Sequence, residues 1–325
     1  MRRIGIVTPD VKHDWASNEL LKAVNWFAEG SIIDPISVQI SVEDRSSIML
    51  AGEPADKYDG FILRALNQAG ETDYQYEIFE LLANLGWTVI NHPRSLSIAE
   101  SKAQTTFYLQ TAGLPVPRTT VTQNLDDAIS AVKQYGTSVL KPLFGSHGIG
   151  IEKVEPGVAE EMLKRFLESY GAIYVQEYVP NDSSDIRAFV VGDGIPAAIR
   201  RIAPPGHWKT NVYLGADCRP YELTAELSEI CIEAARVIGL DYTGVDVIVG
   251  PDGPKILEVN GAPTWHGVLD ATARNVAEDV VHHVLDLIDS GRSARQPMDI
   301  RFRQHPIENG KVSPRVWFGN ASMPL

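Results

Sequence analysis

Residues 244–267 read GVDVIVGPDGPKILEVNGAPTWHG, two apolar runs around the turn-forming residues Gly250 to Pro254. Val, Ile and Leu at strand spacing on either side of such a cluster predict a β-hairpin. With the turn centred on Asp252, Val249 stands opposite Lys255, Ile248 opposite Ile256 and Asp246 opposite Glu258. Side chains alternate faces along a strand, so Asp246, Ile248, Ile256, Glu258 and Asn260 share one face. Val245, Val247, Leu257 and Val259 fill the other, expected to be the core. Two carboxylates facing each other across a ladder repel, by up to about 1 kcal/mol when exposed and by more when desolvated. A hard cation turns that penalty into binding, because Mg²⁺ takes oxygen ligands from carboxylates and substrate phosphates. The plain alternative is a solvated acidic face, or one protonated carboxyl. Asn260 and the rest of the chain bear on the choice.

A chain of 325 residues is too long for one small core and implies two or three units. No apolar run approaches the roughly 18 residues that a membrane span needs. The start, MRRIGIVTPD, runs straight into a strand pattern without a signal-peptide apolar region. The two cysteines, Cys218 and Cys231, lack metal-site spacing, which fits a reducing, cytoplasmic compartment. A formal charge of −13 argues against a nucleic-acid binder. It leaves room for an anionic ligand in a local basic pocket.

RIGIVT, DGFILRAL and WTVIN read as strands, separated by the helical patterns SNELLKAVNWFAEG and YQYEIFELLANLG. Ser17 or Asn18 is the expected cap of the first helix and Gly30 its stop. This alternation implies a parallel α/β layer over residues 1 to about 95. Arg64 and Asn67 follow the second of these strands, where ligands often bind, and are candidate substrate contacts. A long helix from Ser95 to Gly113 then opens a second unit, read as α+β with largely antiparallel sheets. The helix ending at Gly291 closes it, and residues 292–325 read as a loosely packed tail.

Several groups could carry chemistry. In VLKPLFGSHGIGI a lysine, Lys141, ends a strand and Gly145, Ser146, Gly148 and Gly150 loosen the loop that follows. Such a loop can close over phosphates with its N–H groups while Lys141 supplies a point charge. It is neither a Walker A sequence nor a dinucleotide fingerprint, and a plain hairpin is the alternative. His147 reads as a loop tip. Gln176 and Glu177 end the strand in YVQEYVP, where backbone and apolar walls can take an adenine. Asp185 and Arg187 share a strand face, whereas Arg200 and Arg201 are neighbours, so only one of them faces inward. Cations beside a carboxylate pair suit phosphoryl transfer. His282 and His283 default to the surface of the last helix, and Trp265 and His266 are placed to border the site.

The order of these pieces resembles the ATP-grasp superfamily and, within it, the RimK-type α-L-glutamate ligases. The resemblance covers about residues 60–290 and rests on VLKPLFGSHGIGI, DIRAFVVG and GVDVIVGPDGPKILEVN. It implies an α/β N-terminal domain (1–98) before an α+β ATP-grasp fold, whose two subdomains (99–178 and 179–291) clamp ATP. By motif match, Lys102 and Lys141 touch phosphates, Gln176, Glu177 and Tyr178 line the adenine hinge, and Asp185 holds the ribose end. Lys209, Thr210 and Asn211 stand where the family has a basic-Ser-Asn triplet. Asp246, Glu258 and Asn260 coordinate Mg²⁺ or Mn²⁺, commonly as two ions.

The implied reaction joins a carboxylate to an amine through an acyl phosphate, typically with glutamate as the amine donor. Arg201 or Arg200, with Arg187 as a further partner, is expected to stabilise the reacting oxygens. A homo-oligomer is also implied. Lys209 in place of the usual arginine, and NGAPTWHG in place of the small turn after the metal ligands, leave acceptor and amino acid open. A ribosomal protein tail, a pterin or deazaflavin coenzyme and an amino-acid conjugate are all within the family's range. The N-terminal HDWASNELLKA and LRALNQ look closer to the coenzyme-modifying members. The rival readings are a D-alanine–D-alanine type ligase and a nucleotide-binding module without turnover. A nicotinamide oxidoreductase is disfavoured, because VTPDVKHD stands where a G-x-G-x-x-G is needed.

Overall fold

The computed structural model describes residues 1–10, 12–145, 148–302 and 316–318. The first unit is a parallel sheet ordered Glu29–Ile33, Arg3–Val7, Gly60–Leu63, Thr88–Ile90. Both faces are buried, as a parallel sheet requires. Ile4, Ile6 and Ile62 pack under the helix Trp15–Phe27, while Val7, Phe61 and Leu63 pack with the helix Thr72–Asn84.

The strand Glu29–Ile33 is missing from the sequence reading, which ended the preceding helix at Gly30. EGSII lies at the sheet edge and only Ile33 in it is buried, so its hydrophobic signal is weak. The helix begins at Trp15, capped by Asp14 rather than by Ser17 or Asn18. A small antiparallel sheet, Gln39–Val42, Ser46–Leu50 and Glu53–Pro54, is likewise absent from the reading.

The second unit has an antiparallel sheet ordered Glu152–Val154, Ser138–Lys141, Ile173–Glu177, Thr119–Thr122. The helices Leu125–Tyr135 and Ala159–Tyr170 cover one face of it. A third sheet is ordered Asp217–Pro220, Gly194–Ile202, Ser184–Val191, Tyr242–Gly250, Gly253–Asn260. Its core face packs on the helix Ala225–Ile238.

Three departures matter for the site. The long helix expected from Ser95 to Gly113 is two, Pro93–Glu100 and Lys102–Thr111, with Ser101 capping the second. Lys102 therefore starts a helix and is held at the junction of all three units. The terminal helix Ala277–Ser290 packs on Trp15–Phe27, so the first core is shared with the end of the chain. His282 is exposed, as expected, with its ring edge-on to Phe27 at 4.5 Å, whereas His283 is half-buried with Nε2 2.9 Å from Asp241 Oδ1. The segment after Gly291, read as loose, is anchored at its start. The Arg295 amide donates to Asp241 Oδ2 at 3.0 Å and the Met298 amide to Val237 O at 3.0 Å.

Asn91 is wholly buried and binds the first unit to the hairpin strand. Its Nδ2 donates to Tyr242 O and Gly261 O, both at 2.7 Å, and its Oδ1 accepts from the Asp241 amide at 2.7 Å. The rigid parallel sheet thus fixes where the hairpin's acidic end stands.

Candidate active site

The opening hairpin pairs Asp246 with Glu258, but by a different route from the one expected. The turn is tighter: Gly250 faces Gly253, Val249 faces Pro254 and Ile248 faces Lys255. An irregularity between Asp246 and Val247 restores the expected pairing at the acidic end. The extra residue is Leu257, between Ile256 (paired with Val247) and Glu258 (paired with Asp246). A one-residue bulge exchanges faces. Ile256, expected on the acidic face, is core with Val245, Val247 and Val259, while Leu257, expected in the core, lines the cleft.

Across the sheet the charges alternate in a buried row. Arg187 stands opposite Asp246 and donates Nε to Oδ1 and Nη2 to Oδ2, both at 2.6 Å. Arg201 reaches Asp246 Oδ2 at 2.9 Å and is bidentate to Asp185 at 2.7 and 2.5 Å. The Thr210 hydroxyl donates to Asp185 Oδ2 at 2.6 Å. Burial opposes the Asp246 charge, yet Arg187 and Arg201 hold its carboxyl below the ordinary range. Arg200 turns to the opposite face, as alternation requires, and pairs with Asp182 and Ser184 at the surface. It lines neither the cleft nor the cavities beside it.

Lys141 is buried, with Nζ 2.7 Å from Gln176 Oε1 and 5.8 Å from the Tyr174 ring centroid. Desolvation lowers its ammonium to about 8. Lys102 Nζ donates to Gly145 O at 2.7 Å and lies 3.8 Å from Glu258 Oε1. Lys209 Nζ donates to Gly148 O at 3.2 Å. Gly148 has φ +74° and a side chain there would meet Asn211 Oδ1 at 2.4 Å, so the loop can close on this segment only with glycine. Ser146 and His147 lie outside the described residues.

Glu177 is occupied: Arg118 Nε lies 2.5 Å from Oε2 and Lys255 Nζ 2.5 Å from Oε1. Burial raises its carboxyl, but these donors overcome it and hold the group ionised. Tyr178 carries Lys153 Nζ over its ring at 3.7 Å and faces Trp208 edge-on at 6.2 Å. Sequence reasoning missed Trp208, Phe144 and Ile149, which line the cleft, and the clamp from Arg118 and Lys255. Their signal was weak: each is a lone residue in a loop or at a sheet edge.

Lys102, Lys141, Gly145, Gly148, Gln176, Glu177, Tyr178, Asp185, Arg201, Lys209, Thr210, Asn211, Asp246 and Glu258 all line one cleft of about 120 Å³. Arg187 and Asn260 are not on this cleft. They line a cavity of about 460 Å³ with His266, which stacks on Trp15 at 3.9 Å. Trp265, expected at the site, is instead buried in the first core. A further cavity of about 470 Å³ lies under Arg64. Glu258 borders all three spaces. Asn67 has a turn-forming role, bonded to Asp34 Oδ1 at 2.9 Å and to Gln75.

The donor set fits a hard divalent ion: two carboxylates and an amide at one end of a hairpin, beside a cleft rich in cations that suits phosphates. Asn260 Nδ2 donates to Gly244 O at 3.1 Å, which leaves Oδ1 as the amide's acceptor. Among the described residues no group of three or more His, Cys, Asp and Glu forms a metal cage, so such an ion needs substrate oxygens to complete its shell.

The pattern of a RimK-like ATP-grasp domain matches residues 99–284. The chain is 31% identical to the tetrahydromethanopterin:alpha-L-glutamate ligase of Methanosarcina acetivorans, over 89% of this chain and all of that protein. It is 30% identical to the protein of the same name from Methanocaldococcus jannaschii, again over 89% of this chain and all of the relative. Among solved structures it is similar to the ATP-grasp ligase PsnB complexed with minimal precursor, Mg and ADP, with TM-score 0.72, 21% identity, and 88% and 98% of the two chains covered. It is also similar to a RimK domain protein from Sphaerobacter thermophilus, with TM-score 0.62, 20% identity, and 87% and 99% covered. At these identities the structural likeness establishes the ATP-grasp fold.

Proposed function

The chain belongs to the RimK-like ATP-grasp family and is an ATP-dependent ligase, and on that premise we propose that it joins L-glutamate to a substrate carboxylate. The observation that carries this reading is the meeting of three spaces at Glu258: a cation-lined cleft and two larger cavities. Phosphate transfer at such a junction can activate one substrate and expose it to another.

In the first step a carboxylate oxygen of the acceptor attacks the γ-phosphorus of ATP. The bond to the bridging oxygen breaks, ADP leaves, and an acyl phosphate forms. In the second step the amine of glutamate attacks the acyl carbon, inorganic phosphate departs, and the nitrogen loses a proton to give an amide. The protein contributes positioning and charge neutralisation, with no covalent intermediate on a side chain. Lys102, Lys141 and the N–H groups of the loop around Gly145 and Gly148 take the phosphate tail. Tyr178 and Trp208 wall the base, with Gln176 beside them, and Asp185 with Thr210 takes the ribose end. Lys209 and Asn211 close the loop over the phosphates. Arg201, pinned between Asp185 and Asp246, directs its remaining donors at the transferring oxygens, and Arg187 faces the cavity where the acyl phosphate is attacked.

Asp246, Glu258 and Asn260 would hold Mg²⁺ or Mn²⁺, as two ions, which supply neutralisation of the phosphate oxygens. Glu258 and Asn260 are the readier ligands. Both oxygens of Asp246 accept from guanidinium groups, so its coordination asks Arg187 to turn aside. The acceptor class that the first two relatives' names suggest is a pterin coenzyme.

Mass spectrometry of products formed with ATP, Mg²⁺, pooled amino acids and cell extract tests the reading. A mass gain of one glutamyl unit with stoichiometric ADP is expected. An alanyl gain independent of glutamate overturns the donor. ADP release with no amide product overturns the ligase chemistry.

A further inference from the structure

We propose that the cavity under Arg64 is a substrate-carboxylate site and that Arg64 is its receptor, holding a carboxylate that does not itself react. The proposal rests on the ligase reading above and adds which residue reads the substrate.

Arg64 directly follows the strand Gly60–Leu63, at the carboxyl edge of the parallel sheet. Its side chain is only 4% exposed. Nη1 donates to Pro263 O at 3.0 Å and lies 3.4 Å from the Tyr242 hydroxyl. Nε makes no hydrogen bond. Its ion pair with Asp14 is long, 3.9 Å from Nε to Oδ2, and that carboxylate also caps the helix Trp15–Phe27. A buried guanidinium N–H left open is costly unless a ligand completes it. The planar fork of arginine matches a carboxylate better than any other side chain.

The cavity fits a small molecule. Its volume of about 470 Å³ lies within the usual range of such sites, about 300–1,000 Å³. Tyr76, Phe79, Leu66 and Leu96 give it apolar walls, and its far end is made by Lys102 and Glu258, which it shares with the nucleotide cleft. A molecule anchored at Arg64 therefore extends its other end to the place where phosphate is transferred. Two substrates have this chemistry: the incoming dicarboxylic amino acid, and an acceptor that itself ends in a glutamyl group. Glu100, which also lines the cavity, separates them, because a free ammonium gains from an acid and an acylated nitrogen does not.

Isothermal titration of the full chain, saturated with Mg²⁺ and a non-hydrolysable ATP analogue, uses L-glutamate and N-acetyl-L-glutamate as probes. At least one is expected to bind. Arg64→Gln should weaken that probe at least tenfold and leave the affinity for the ATP analogue within twofold, with Arg64→Lys in between. Tighter L-glutamate, weakened by Glu100→Gln, assigns the site to the amine donor. Tighter N-acetyl-L-glutamate, unchanged or improved by Glu100→Gln, assigns it to the acceptor. If Arg64→Gln does not fold, Leu66→Trp fills the cavity from its wall without removing the Arg64 bonds and should produce the same loss. Equal probe binding in the variant tested, or no binding of either probe to the wild type at about 10 mM, overturns the proposal. Failure of the ligase reading is separate: it appears as absent amide product while probe binding persists.

Discussion

The cation-lined cleft and the cavity under Arg64 share Lys102, Phe144, Gly145 and Glu258 but are built on different plans. In the cleft the buried charges are already paired: Lys141 with Gln176, Arg201 with Asp185 and Asp246, Glu177 with Arg118 and Lys255. The space is narrow, about 120 Å³, so under the proposed function a nucleotide parts the loops and takes over some of these bonds. Under Arg64 the space is about 470 Å³, walled in part by Leu66, Tyr76, Phe79 and Leu96, with a buried cation whose Nε makes no hydrogen bond and stands 3.9 Å from Asp14. A site for a polyanion needs many cations, which cannot be stored buried without partners. A site that selects one substrate carboxylate needs one well-placed donor and walls of the right shape.

The largest expected effect breaks the wall between the two spaces. Glu258→Gln should lower kcat by about 10³-fold or more while leaving the melting temperature unchanged, as read by steady-state ADP release and thermal unfolding. Unchanged rates would remove Glu258 from the reaction. Next is the stored pairing of the cleft. Arg201→Met leaves Asp185 and Asp246 as buried acids without their shared cation, and should cost roughly 3–5 kcal/mol in urea unfolding. A loss of under about 1 kcal/mol would mean the row behaves as a surface pair.

The bulge at Leu257 gives a finer comparison on adjacent residues. Ile256→Ala should cost about 2–4 kcal/mol of stability and spare nucleotide affinity. Leu257→Ala should do the reverse, weakening nucleotide binding with a smaller stability loss. The opposite result would restore the regular register.

The smallest effect is one of pH. Burial lowers Lys141 to about 8, so the group loses its charge as pH rises through that value and nucleotide affinity should fall, approaching tenfold per unit. The unfolded lysine keeps its proton to about pH 10.4. Between those values the unfolded chain binds more protons, so the fold gains stability from this group over the same interval. Affinity and stability therefore move in opposite directions above pH 8, and Lys141→Met should flatten both in calorimetric and unfolding titrations.

Much of the cleft was legible because its residues sit at the ends of strongly patterned strands. Lys141, Gln176, Asp185 and Asp246 are placed by alternation and by a nearby turn, both local properties. Alternation also separated Arg200 from Arg201 but could not say which faced inward. The reading assigned the wrong faces to Ile256 and Leu257, since both are apolar and a bulge leaves no mark in composition. The edge strand Glu29–Ile33 escaped because half-exposed strands carry little hydrophobic signal. Trp208 and Arg118 entered the site by loop placement.

By itself the sequence determined the alternating α/β start, the later antiparallel sheets, and the hairpin with facing acids. Periodicity and turn chemistry act over a few residues and survive without tertiary context. Only the tertiary structure decided that Lys102 starts a new helix, that the last helix returns to the first sheet, and that Arg64 and Glu258 border one cavity. Those relations join residues far apart in the chain, and they are set by which buried faces can pack together and which buried charges find partners.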